Sequence, residues 1–154
     1  MAAAADVPAT DWQAATRPLA GLGRRLLSLV YESLLLAALV LVAGFLFLGF
    51  AWAIPLALGR PALQLYLLAV CGVYFVGCWR LGGQTLPMKT WRLRLVTRAG
   101  GPIEPRQAIA RYVLAVVGIG LGGLAWAWAL FDPERQFLHD RLAGTRIVFI
   151  GSPR

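Results

Sequence analysis

Residues 24–54 read RRLLSLVYESLLLAALVLVAGFLFLGFAWAI, an apolar run of membrane length with a single carboxylate, Glu32, near its start. From Leu26 to Ile54 there are 29 residues, about 43 Å of helix at roughly 1.5 Å per residue, where about 20 residues already cross a hydrocarbon core. The excess leaves the first turns at the level of the lipid headgroups, where a charge is tolerated only if it faces protein, water or an opposite charge. Arg25 and Glu32 are seven residues apart, two turns on one helical face.

Composition widens this reading to the whole chain. The 154 residues are 59% hydrophobic and 14% charged, with a mean hydropathy of +0.68, too apolar for an ordinary soluble domain and suited to one small multispanning membrane domain. A net charge of +8 in a soluble protein would point to nucleic acid. Here the basic residues flank apolar spans, so anionic lipid headgroups are the expected partner and nucleic acid is not. Cys71 and Cys78 lie two helical turns apart, beyond disulfide reach, and read as small apolar side chains. No Ser-His-Asp order, paired-cysteine metal site or phosphate loop is present, so no enzyme, metal or cofactor is expected.

Residues 1–21 are Ala-rich, broken by Pro8, Pro18 and Gly21, and read as a mobile tail before a membrane domain over 22–150. The apolar run is twice the length of a signal peptide's and begins too late to be one. A turn over Pro55–Pro61 leads to a second span, Ala62 to Trp79, which has no charged residue. Trp52 and Trp79 are expected at opposite interfaces, closing an antiparallel transmembrane hairpin. Seven of the fifteen basic residues fall between Arg80 and Arg111, which marks that segment, and with it the N-terminus, as cytoplasmic. Within it Trp91-Arg92-Leu93-Arg94-Leu95 alternates apolar and basic, a short surface strand with its apolar side on the bundle.

Pro105 suits the first position of a helix that climbs into a third apolar segment, residues 112–131. Gly118, Gly120, Gly122 and Gly123 interrupt it. They also spell GxGxxG, but no strand precedes them and nucleotide binding is not expected. They can admit a neighbouring helix or break the segment into a re-entrant pair of half-helices. After it, Asp132 as cap, Pro133 and Gly144 delimit a ten-residue interfacial helix. Thr145 to Ile150 then reads as a strand that pairs with the one near Leu93. Such pairing puts the C-terminus on the same side and favours the re-entrant reading. The fold expected is therefore an all-α integral membrane protein with short surface strands.

Three pieces carry a family resemblance: Arg25 with Glu32 seven residues later, Gly82-Gly83-Gln84-Thr85-Leu86, and His139-Asp140-Arg141-Leu142-Ala143-Gly144-Thr145. Together they resemble the RDD family of bacterial membrane proteins over about residues 22–150. By position Arg25 matches that family's arginine, Glu32 its first aspartate and Asp140 its second. Glu32 keeps the charge but sets it one methylene further out, and Pro87 stands where the family usually has glycine. The resemblance implies a bacterial inner-membrane location and, for some members, transport that includes cation and proton exchange.

Two expectations about function follow. In one, Glu32 carries a proton or holds a cation, and the chain moves an ion or small solute as an oligomer, because two full crossings are few for a pathway within one chain. In the other, Arg25, Glu32, Arg111 and Asp140 form a neutralised cluster that pins the tail to the hairpin, and the protein is a scaffold or accessory subunit beside a membrane partner. His139 is expected at the surface.

Overall fold

A computed structural model describes residues 18–51, 55–123 and 127–151. The first helix, α1 (Leu22–Phe50), is one unbroken rod of 29 residues, as the charge-poor apolar sequence dictates. Its buried residues, Arg25, Ser28, Glu32 and Ala43, recur at helical spacing and form a single stripe. The opposite faces display Leu34, Leu41, Phe45 and Leu48 to the surroundings.

Helix α2 (Leu56–Gly82) begins earlier than the sequence suggested. The expected turn over Pro55–Pro61 is largely helical: Pro55 is the N-cap, its carbonyl accepting from the Leu58 amide at 2.8 Å. Pro61 lies inside the helix and costs it one internal hydrogen bond, tolerable less than two turns from its start. Among the described residues α1 and α2 are the helices long and apolar enough to cross a membrane, with mean hydropathies of 2.6 and 1.7 in their most apolar windows. They pack side by side, with Phe47 on Tyr66 at 5.4 Å between ring centres. Trp52 lies outside the described residues. Trp79, expected at an interface, is instead buried at 4% exposure.

Helix α2 stops at Gly83, whose φ of 67° is left-handed. A side chain there would bring its Cβ to 2.7 Å from the Leu95 carbonyl oxygen, so glycine is required both for conformation and for approach. A five-residue helix, α3 (Leu86–Thr90), follows, with Thr85 as N-cap and Pro87 in its first turn. Its amide is not needed there, which is why proline fits where the resemblance led one to expect glycine.

The strands expected from the sequence are β1 (Leu93–Thr97) and, at the far end, β2 (Thr145–Phe149). They pair antiparallel, with Leu93 opposite Phe149, Leu95 opposite Ile147 and Thr97 opposite Thr145. Pro18 to Ala20, expected within the mobile tail, lie instead along β2, where the Ala20 amide donates to the Ile147 carbonyl at 3.1 Å and the Phe149 amide to the Pro18 carbonyl at 3.2 Å. Residues 1–17 lie outside the described part. Ala20, Trp79, Met88, Leu93, Leu95, Ile103, Ala108 and Ile147 make the main core. The densest packing thus sits in the layer formed by the sheet and helix ends, while the spans stay bare.

Helix α4 (Pro105–Gly120) starts at the expected proline, and the Gln107 side chain reaches back to accept from the Glu104 amide at 3.2 Å. It runs antiparallel to α2. Arg111 lies 4.2 Å over the Trp79 ring, and the Tyr112 hydroxyl donates to the Leu68 carbonyl at 2.7 Å. Gly72 leaves room for the Tyr112 ring, which a Cβ would meet at 3.1 Å. At 16 residues, about 24 Å, α4 falls short of a hydrocarbon core. It ends in the glycine stretch, where Gly122 and Gly123 have positive φ. That stretch follows a helix, not a strand, so its match to a nucleotide fingerprint lacks the required context. After residues 124–126, which are not described, a short 3-10 turn spans Trp128–Leu130.

The ten-residue helix expected after Asp132 is absent; α5 (Leu138–Leu142) has five residues. The Asp132 carboxylate is spent on a turn, its Oδ2 accepting from the Glu134 and Gln136 amides at 3.2 and 3.0 Å. Arg135 then adopts a φ of 50°, which no helix can pass through. Gly144, with φ 68°, ends α5 as the sequence predicted.

Candidate functional site

The four charges expected to cluster divide into two sites. Glu32, at 6% exposure, faces the junction of α2 and α3. The Tyr74 hydroxyl donates to its Oε1 at 2.8 Å and the Thr85 hydroxyl to its Oε2 at 2.5 Å. Among the described residues no cationic side chain comes within ion-pair distance of it. Glu32 therefore does not join Arg25 in the expected neutralised cluster. The two share a face, but two turns of helix, about 10 Å, separate them along the axis.

Thr85 reaches Glu32 because three consecutive residues fix the loop. Gly83 turns the chain, its carbonyl accepting from the Leu95 amide at 2.7 Å. Gln84 Nε2 donates to the Leu93 carbonyl at 2.6 Å. Thr85, at 1% exposure, caps α3 by accepting from the Met88 amide at 3.4 Å. Its hydroxyl proton is then free to go to Glu32.

This arrangement serves the carboxylate in either protonation state. Ionised, it accepts from both hydroxyls; protonated, it can donate to either, since a hydroxyl rotates to accept as readily as it donates. The same oxygens are the hard donors that an alkali or alkaline-earth cation prefers.

The second site joins α4, α5 and the start of α1. Arg111 Nε donates to Asp140 Oδ1 at 2.6 Å, with Asp140 at 1% side-chain exposure. His139 Nε2 lies 3.7 Å from the same oxygen. Arg25, at 2% exposure, donates from Nη1 to the Arg135 carbonyl at 2.9 Å and feels the attraction of Asp140 and the repulsion of Arg111. The positive φ of Arg135 is what turns that carbonyl toward α1. Thr145, another motif position, donates from its hydroxyl to the Asp140 carbonyl at 3.3 Å. Arg25, Arg111 and Asp140 thus come together as expected, without Glu32.

His139 was expected at the surface and is buried, at 3% exposure, stacked on Phe137 at 5.5 Å between ring centres. Burial pushes its pKa down to about 4, with Asp140 opposing the shift, so the imidazole is neutral near pH 7. α5 packs on α4 with His139 and Asp140 turned inward, while Arg141 and Leu142 take the solvent face. The sequence also missed Tyr74 and Trp79 as partners. A tyrosine in a span otherwise free of charge was the one available signal for the first; nothing in the sequence points to the second. Among the described residues no group of His, Cys, Asp or Glu is arranged to hold a metal ion.

The motif positions Gly83, Gln84, Thr85, Gly144 and Thr145 are thus accounted for by turns and hydrogen bonds, and the model of the RDD family matches residues 19–144. The chain belongs to the RDD family. Comparison with curated proteins and with solved structures gives no match. RDD is a membrane family, in keeping with the two long apolar helices. The match begins at residue 19, within the Pro18–Ala20 segment that lies along β2, and so takes in part of that segment as well as the two long helices.

Proposed function

We propose that this RDD protein moves an ion or small solute across the bacterial inner membrane as an oligomer, with Glu32 exchanging a proton against the transported species. The observation that carries the reading is a carboxylate in a long apolar helix, 6% exposed and held by two hydroxyls, with no cationic side chain within ion-pair distance among the described residues. Ionisable groups at such depth are costly, and where no structural partner neutralises them they mark transport pathways.

The N- and C-termini are assigned to the cytoplasm, on a basic count of three residues up to Arg25, one at Arg60, seven from Arg80 to Arg111 and four from Arg135 onward. The apolar stretch from 112 to 131 is read as re-entrant. Helix α4 is too short to cross, and the Arg135 carbonyl returns to Arg25 near the start of α1. The basic central segment lies against anionic headgroups. A cysteine placed at Ser152, with Cys71 and Cys78 replaced, should be inert to an impermeant reagent in intact cells. Rapid labelling would make the third segment a full crossing.

The functional test is proton flux in liposomes driven by a panel of cations. Wild type and Glu32→Asp, which restores the usual family residue, should show cation-dependent flux, and Glu32→Gln should show none. Undiminished flux in Glu32→Gln removes the carrier role. One observation favours a second reading, a scaffold or accessory subunit: the Arg111–Asp140 pair ties the tail to the bundle. Absence of flux in wild type for every cation, with the fold intact, selects that alternative.

A further inference from the structure

We infer that the cavity lined by Leu19, Arg98, Glu134, Gln136, Arg141 and Arg146 binds a single phosphate group. Its volume is about 270 Å³, below the roughly 300 Å³ at which pockets for drug-sized ligands begin. A tetrahedral anion on a short stem fits that scale. Half of the lining residues are arginines, whose planar forks match phosphate oxygens in pairs.

The charge balance limits the ligand further. Three guanidiniums against the Glu134 carboxylate leave two positive charges. Asp132, which pairs with Arg141 from behind, leaves one. Such a field suits a mono- or dianion and gives a polyphosphate little to hold. Glu134 is itself engaged, accepting from Gln136 Nε2 at 2.7 Å.

The cationic wall is built before any ligand arrives. Arg98 is held at its amide by the Gly144 carbonyl at 3.1 Å and at Nη2 by the Arg141 carbonyl at 3.1 Å. Arg141 is held by Asp132, whose fully buried side chain is fixed by two backbone amides. Order of this kind lowers the entropic cost of binding. Leu19 leads directly into α1, so the cavity lies beside the end of a span, where both a lipid phosphate and a free phosphate can reach it. Neither Glu32 nor the Arg111–Asp140 pair takes part, so the site stands independently of the transport reading.

The test uses the full chain. Inorganic phosphate is titrated calorimetrically into protein in detergent, and phosphatidylglycerol retained from nanodiscs is measured by native mass spectrometry. Three proteins are compared: wild type, Arg98→Gln/Arg146→Gln, and Arg106→Gln, an exposed arginine of α4 that does not line the cavity. Phosphate binding weakened about tenfold or more in the double variant, the weight of one charge-assisted pair, and unchanged in Arg106→Gln, supports a free phosphate ligand. Retention of lipid by wild type and Arg106→Gln but not by the double variant, without phosphate binding, supports a lipid phosphate. Absence of both signals, or equal loss in the double variant and in Arg106→Gln, overturns the site. Should the double variant fail to fold, Arg98→Lys keeps the charge and gives up the fork. A loss of several-fold at an unchanged melting temperature then supports the site, and an unchanged affinity overturns it.

Discussion

Glu32 and Asp140 are both carboxylates nearly closed to water, yet they are neutralised in opposite ways. Asp140 has Arg111 at 2.6 Å and Arg25 in its field. Among the described residues, Glu32 has hydroxyl partners in place of a counter-charge. A permanent counter-charge makes a carboxylate a fastener. Hydroxyl partners can turn to donate or to accept, which is what an exchanging group requires. The difference follows from position: Asp140 sits where α4 delivers an arginine, whereas Glu32 faces a span without a charged residue between Ala62 and Trp79.

Asp140→Asn should break the comparison most severely. It leaves Arg111 and Arg25 buried without a carboxylate, at a cost of about 3–5 kcal/mol for a buried pair that loses one partner. The melting temperature in detergent should collapse. A variant that melts within a degree or two of wild type would show that the pair fastens nothing.

A smaller effect is expected from acid. The unfolded chain protonates His139 near pH 6.5, the folded chain only near pH 4. Below pH 6.5 the unfolded state therefore binds the extra proton, and stability falls as the pH drops toward 4, by at most about 3 kcal/mol. Above pH 6.5 this group contributes no slope. His139→Gln should flatten the acid limb of a plot of melting temperature against pH. An unchanged limb would mean that His139 is accessible to protons in the folded state.

The smallest effect on stability is expected for Glu32→Gln, no more than about 1 kcal/mol, the net weight of an ordinary hydrogen bond. The neutral amide resembles the protonated acid, and both hydroxyls can turn to suit it. A penalty as large as that of Asp140→Asn would make Glu32 a second fastener and weaken its candidacy as a carrier.

Where one helix decides its own pattern, the sequence was informative. The shared face of Arg25 and Glu32, the start of α4 at Pro105, the glycine break after it and the pairing of β1 with β2 could all be read from spacing and residue type. What escaped was decided between elements. Spacing gives the face on which Glu32 lies but not what covers it, so Tyr74 and Thr85 went unassigned as its partners. The length of α5 was lost to one residue, Arg135, whose left-handed backbone is imposed by its surroundings and is foreign to arginine's own preference. His139 is buried for the same kind of reason, since α4 and Phe137 enclose it and no local pattern announces them.

The loop Gly83-Gln84-Thr85 touches three layers in three steps: the end of α2, the edge of β1 and the interior of α1. Its length therefore acts as a ruler. One residue inserted between Gly83 and Thr85 would leave the chain to choose between keeping Gln84 on the strand and keeping the threonine hydroxyl on Glu32. A duplication that a surface loop absorbs without notice would here uncouple the sheet from the span, with every side chain in the protein still present.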